Sequence, residues 1–226
     1  MLPDKVPWKL KEVVSVYVLR LVLGILLVRF IYPQLFSASS LVIELTDRLL
    51  MIALVWITVS KYRPDFGELG FSIKNWRKNT AQGIVAGCLL FGVSIYSERL
   101  YTTVLLLTPS NHPLVQQAES AVSVGQLAVP LFLAGVAAPV AEEVLYRFFT
   151  FLPLKERWGL AVGALLSSAI FALMHFNAYW LAEIIVVGVG LTLLYYWTGS
   201  LLSAIVAHSF INSTKVLLVF FGIPLL

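Results

Sequence analysis

Residues 123–151 read SVGQLAVPLFLAGVAAPVAEEVLYRFFTF, an apolar run interrupted only by Glu142, Glu143 and Arg147 among charged residues. A helix needs ~20 apolar residues to cross the hydrocarbon core. At such lengths only a helix satisfies its own backbone within lipid, since membrane strands read as alternating segments of about 10 residues. Comparable stretches occur at about 13–36, 41–60, 80–107, 159–178, 180–198 and 200–222. The sequence therefore predicts an all-α fold, a polytopic transmembrane helix bundle of about seven spans.

Composition supports that reading. Of the 226 residues 59% are hydrophobic and 12% charged, with a mean hydropathy of +0.89. Soluble domains carry roughly 25% charged residues, so this chain cannot cover a water-facing surface. A soluble enzyme, a disordered chain and a nucleic-acid binder are excluded. Cys88 stands alone, which rules out a disulfide framework and reads as a small packing residue. The lysine-bearing start, residues 1–12, lacks a small-residue cleavage site, so the first span reads as retained. No repeat and no low-complexity tract is present.

The net charge of +4 reads as a topology signal rather than as affinity for an anionic partner. Basic residues gather in the N-terminal segment (Lys5, Lys9, Lys11), in the polar insert 61–79 (Lys61, Arg63, Lys74, Arg77, Lys78) and at Lys155 and Arg157. With seven spans these segments share one side, while the connection 108–123 opposite has no Lys or Arg. The expectation is a multi-pass protein of the cell membrane with a cytoplasmic N-terminus. The insert alternates Phe66, Leu69, Phe71, Ile73 and Trp76 with basic residues, as an interfacial loop does. The 108–123 connection is rich in turn formers, Pro109, Asn111 and Pro113 among them. The pairs Gly83/Gly87 and Gly159/Gly163 have the spacing of close helix approach.

An ionisable residue near the bilayer centre costs ~2.5–3.5 kcal/mol on insertion scales, so each one needs a partner or a use. Glu44 and Arg48 have the spacing of an intrahelical pair, and Arg29 and Glu98 read as snorkelling. Arg20, Asp47, Arg99 and Glu183 also fall within spans, and Glu183 is within reach of a site on neighbouring helices. The fourth span is harder to neutralise. Glu143 and Arg147 share a face, whereas Glu142 is turned toward Tyr146 and has no cation. A carboxylate without a counter-ion is suited to general base or acid work. Pro139, three residues earlier, removes a helical hydrogen bond and loosens the helix beside it.

Two of the three histidines, His175 and His208, lie in later spans, and Asn212 follows His208 by one helical turn. An imidazole and an amide on one face can stabilise a developing oxyanion. Glu142 and His175 are equidistant from a turn near Trp158, so an antiparallel hairpin brings them to similar depth. Counted from the span limits, His175 lies one or two turns nearer the outer end than His208. His112 is expected to be solvent-exposed.

At these residues the chain resembles the CAAX-protease and bacteriocin-processing family of intramembrane endopeptidases. The family's motifs Glu-Glu-xxx-Arg, Phe-xxx-His and His-xxx-Asn/Asp correspond to Glu142-Glu143-xxx-Arg147, Phe171-xxx-His175 and His208-xxx-Asn212. The stretch Tyr196–Leu202 is similar too, and the likeness covers about 123–215. It implies a glutamic-type peptidase in which Glu142 with His175 activates water, and His208 with Asn212 holds the oxyanion. Glu143, Arg147 and Phe171 would support the site. The hydropathy spans then divide into three N-terminal transmembrane helices over 1–122, with the interfacial loop at 61–79, and a four-helix core over 123–226 that carries the motifs and would be catalytic. Where the family often has Phe-Arg-Gly, this chain has Tyr146-Arg147-Phe148, a difference that bears on substrate class.

The expected partners are a peptide or protein substrate at the membrane and the lipid bilayer, with no nucleic acid. No cofactor is expected. The alternative is zinc held by Glu142, His175 and His208, although the His-Glu-xx-His signature is absent. Two other classes compete: a non-catalytic membrane scaffold or immunity protein, and a proton-coupled transporter, against which the lack of a visible inverted repeat counts. Asn212-Ser213-Thr214 matches a glycosylation pattern but falls within a span, as a chance match.

Overall fold

The computed structural model describes residues 2–108, 110 and 112–223; Pro109 and Asn111 lie outside the described residues. Among the described residues the fold is helices and connections, without strands. The elements are α1 (Leu10–Leu35), α2 (Ser40–Ser60), α3 (Trp76–Val104), the short α4 (Pro113–Glu119), α5 (124–158), α6 (160–173), α7 (Leu181–Thr198) and α8 (Leu201–Phe220).

By length and composition alone, five segments among the described residues can cross a membrane. One of them, Val124–Leu173, is 50 residues long, far more than a single crossing needs. Gly159 divides it: φ 80°, ψ 174° leaves the helical region at a position where glycine carries no Cβ penalty. The chain doubles back there, and Gly163 packs so closely on Lys155 that a Cβ would lie 2.7 Å from the Lys155 nitrogen. Gly159 is thus a hinge between spans rather than a helix-contact glycine. α2 carries Glu44, Asp47 and Arg48, which sets it apart from the purely apolar spans. The expected bundle of about seven spans agrees with this arrangement.

Arg20, Glu44, Asp47 and Arg48 of the N-terminal helices are paired, while Arg29 is exposed. Arg20 of α1 grips Asp47 of α2 through two hydrogen bonds of 2.9 and 2.8 Å. Arg48 meets Glu44 at 2.6 Å, as the spacing predicts. Gly83 and Gly87 let α3 lie against α8, where a Cβ would come within 2.7 Å of Val206 and 2.9 Å of Phe210. Cys88, expected to pack inside, faces outward instead. The buried face of α3 passes through Gly83 and Gly87, which rotates the next residue outward, where lipid rather than water meets its apolar side chain.

α5 is wound unevenly. Leu133–Ala137 and Glu143–Phe151 form π-helical stretches, a winding frequent at functional sites. Each precedes a proline, which cannot donate to the helix. The Ala138 N–H bonds back to the Leu133 carbonyl. In that register Pro139 would reach the Ala134 carbonyl, and the Asn212 amide takes it instead at 3.1 Å. Four residues before Pro153, the Phe149 carbonyl accepts from the Trp8 indole at 2.9 Å. The two prolines thereby tie α5 to α8 and to the N-terminal segment.

Trp8 is fully buried, stacked on Phe149 and edge-on to Phe148. Its segment is also held by Lys9–Glu156 at 2.7 Å and by Lys155 donating to the Pro3 carbonyl. The 61–79 insert does not lie wholly at headgroup level. Phe66 stacks on Trp56, Phe71 packs edge-on to Phe148, and the Leu69 carbonyl accepts from the buried Tyr195 hydroxyl at 2.6 Å. Ile73 and Trp76 remain exposed.

Candidate active site

Glu142, His175, His208 and Asn212 all line one cavity of about 160 Å³. That is room for several water molecules. α5 contributes Glu142, the turn after α6 contributes His175, and α8 contributes His208 and Asn212. His175 and His208 nevertheless line the same cavity, both rings packed edge-on to Phe171. α6 ends at Leu173, and the following turn, closed by Phe176 at φ 51°, leaves His175 on the cavity wall. The His175 Nδ1 stands 2.9 Å from the Phe171 carbonyl.

Glu143 is the inner anchor. It is fully buried, 3.2 Å from the Arg147 guanidinium as its spacing predicts, and 2.7 Å from His208 Nδ1. A carboxylate only accepts, so Nδ1 donates and Nε2 is turned toward Glu142, whose Oε2 lies 3.7 Å away. Spacing along one helix does not reveal this second partner of Glu143, because it belongs to another helix. Glu142, read as lacking a cation, has an imidazole as its neighbour. Tyr146 is not that neighbour: π-helical winding begins at Glu143 and carries its ring between Tyr17 and Phe171.

Phe171 holds the motifs apart and in register. The Arg147 guanidinium lies 4.4 Å above its ring, and the His175 and His208 rings meet it edge-on at 4.9 and 5.9 Å. A desolvated cation–π contact is worth ~2 kcal/mol, and it shields a charge that would otherwise be costly in this interior. Arg147 fits because residue 188 is glycine; a Cβ there would lie 3.4 Å from Nη2 and 2.9 Å from Ser168 Cβ.

The outer wall brings in residues that the sequence reading placed elsewhere. His112 is half-buried on the cavity, not solvent-exposed. Its Nδ1 accepts the Leu114 N–H at 3.2 Å and so caps α4, and its ring packs 5.1 Å from that of Trp180. Burial, with His175 nearby, lowers its pKa to about 4. Glu183 reaches the cavity from α7, but it is engaged by Ser94 and by Lys215, 2.5 Å away. Glu98, expected to snorkel, faces inward to Lys215 at 3.7 Å. Lys215 has a legible signal in the sequence: it stands three residues after Asn212 and seven after His208, on their face of α8.

Among the described residues, no three His, Cys, Asp or Glu side chains are placed to hold one metal ion, Glu142, His175 and His208 included.

Residues 124–214 match the family model for "Type II CAAX prenyl endopeptidase Rce1-like". The segment holding all three motifs thus agrees with the resemblance read from them. No curated protein and no solved structure matches the chain.

Proposed function

On the premise that residues 124–214 match the Rce1-like CAAX endopeptidase family model, we propose that this membrane protein is a glutamic-type intramembrane endopeptidase. Its substrate is a peptide or protein segment held at the bilayer. The observation that carries the reading is the convergence of Glu142, His175, His208 and Asn212, from α5, the turn after α6, and α8, on one cavity.

Glu142 accepts a proton from water as the water oxygen attacks the carbonyl carbon of the scissile bond. His175, across the cavity, orients that water. The resulting oxyanion accepts hydrogen bonds from His208 Nε2 and from the Asn212 amide proton not given to Ala134. With Nδ1 donating to Glu143, His208 offers an Nε2 proton only as the imidazolium, and Glu142 and Glu143 are its counter-charges. Breaking the C–N bond returns the proton from Glu142 to the departing amine. No step is routed through a metal ion, since the donor set does not fit one.

In this reading residues 1–122 scaffold the catalytic core at 123–226. The protein resides in the cell membrane, with its N-terminus in the cytoplasm.

The test is a comparison of membrane and released peptides between wild type and Glu142→Gln. Loss of specific cleavages is expected, with expression and thermal stability kept. Cleavages that persist unchanged would overturn the role of Glu142, and a biological effect surviving without cleavage would point to a scaffold.

A further inference from the structure

The cavity lies in one half of the bundle. α2 contributes Arg48 from its first half, α3 contributes Glu98 from its last turns, and α7 lines it only between Glu183 and Val187. Its loop-borne wall is Ser110 and His112 from the 105–123 connection and His175 and Trp180 from the 174–180 turn. These two loops are joined. Asn177 donates to the Ser110 hydroxyl at 2.8 Å, and the Trp180 indole donates to the Ser110 carbonyl at 2.6 Å.

The opposite end is closed. Trp8, Phe149, Phe151 and Tyr195 are fully buried there, and no residue of segments 2–9, 61–75 or 152–159 lines the cavity. That closed end is the basic one. Of the 16 Lys and Arg residues, Lys5, Lys9, Lys11, Lys61, Arg63, Lys74, Arg77, Lys78, Lys155 and Arg157 gather at it, and the 105–123 and 174–180 loops have none. Lys and Arg asymmetry of this kind holds the basic face in the cytoplasm.

We infer that the site takes its substrate from the non-cytoplasmic side, a polypeptide segment already exported across the bilayer rather than a cytoplasmic lipidated C-terminus. The inference rests on the peptidase reading above for its chemistry, and on the position of the cavity and the charge asymmetry for its sidedness.

The two parts are tested separately. In a Cys88→Ala background, Gln116→Cys on α4 and Ile73→Cys in the basic insert each give one exposed thiol. In intact cells a membrane-impermeant maleimide is expected to label Gln116→Cys at once, and Ile73→Cys only after permeabilisation. The reverse pattern overturns the sidedness whatever the activity. Vesicles sorted by which thiol faces outward are then given a peptide digest too polar to cross the bilayer. Glu142-dependent cleavage is expected only where the Gln116 face is outward. Cleavage confined to the Ile73-outward vesicles overturns the substrate claim. Cleavage in neither population overturns the peptidase reading and the substrate claim together, while the labelling result still decides the sidedness.

Discussion

Glu143 Oε1 lies 2.7 Å from His208 Nδ1, joining the first motif to the third in the interior of the protein. The same oxygen faces Arg147 at 3.2 Å. One carboxylate thus fixes the orientation of the imidazole ring that meets Glu142 and is itself steadied by a cation on its own helix. A second partner for this buried carboxylate makes it a positioning group for His208.

Glu143→Gln is therefore expected to lower kcat by about 100-fold, in the range that placing a general acid–base or oxyanion group contributes, with little change in KM. Arg147 would be left as a buried, uncompensated charge, so the variant is also expected to melt earlier; removal of one member of a buried pair costs ~3–5 kcal/mol. Thermal unfolding in detergent beside single-turnover kinetics reads both effects. A variant with wild-type kcat refutes the positioning role.

Asn212 has two assignments, the Ala134 carbonyl that Pro139 leaves free and the proposed oxyanion. Asn212→Ala is expected to lose about 100–1,000-fold in kcat, the usual cost of one oxyanion donor. It should also lose ~1–3 kcal/mol of stability, the cost of leaving the buried Ala134 carbonyl unpaired. A large stability loss with kcat unaltered assigns the residue to helix packing alone.

His112 is expected to affect stability with a defined sign. Its pKa in the folded protein is lowered to about 4 from an ordinary 6.5, so the unfolded chain binds the proton more readily than the folded chain. Its contribution is complete above pH 6.5 and is lost as pH falls through about 4. Relative to wild type, His112→Asn, which keeps an N-cap acceptor for α4, should flatten the fall in unfolding temperature across that window. Parallel pH–stability curves would contradict the burial of the ring.

Trp8→Phe keeps the aromatic contact with Phe148 and Phe149 and removes the hydrogen bond to the Phe149 carbonyl. A loss of ~1–3 kcal/mol is expected, the cost of leaving one buried carbonyl unpaired, measured by detergent-phase denaturation.

Hydrolysis is expected to survive strong chelators undiminished, since Glu142, His175 and His208 are not placed as one metal's ligands. Activity abolished by chelation and restored by zinc would require a different arrangement of these side chains.

What was legible in the sequence was what depends on single residues and their near neighbours. Long apolar runs set the spans, the Lys and Arg distribution set the expected orientation, and the four-residue spacing paired Glu143 with Arg147 and Glu44 with Arg48. The three motifs were visible for the same reason: each lies within a few residues along the chain. Only the tertiary structure decided which groups meet across helices. It turned Glu143 to His208, folded His112 onto the cavity beside Trp180, and drew Glu98 inward to Lys215. The π-helical winding of α5 changed which faces of that helix point inward, and two prolines freed carbonyls that Asn212 and Trp8 then took. Interhelical register follows from the packing of every helix at once, so a one-residue change of winding redirects side chains that no local spacing rule can place.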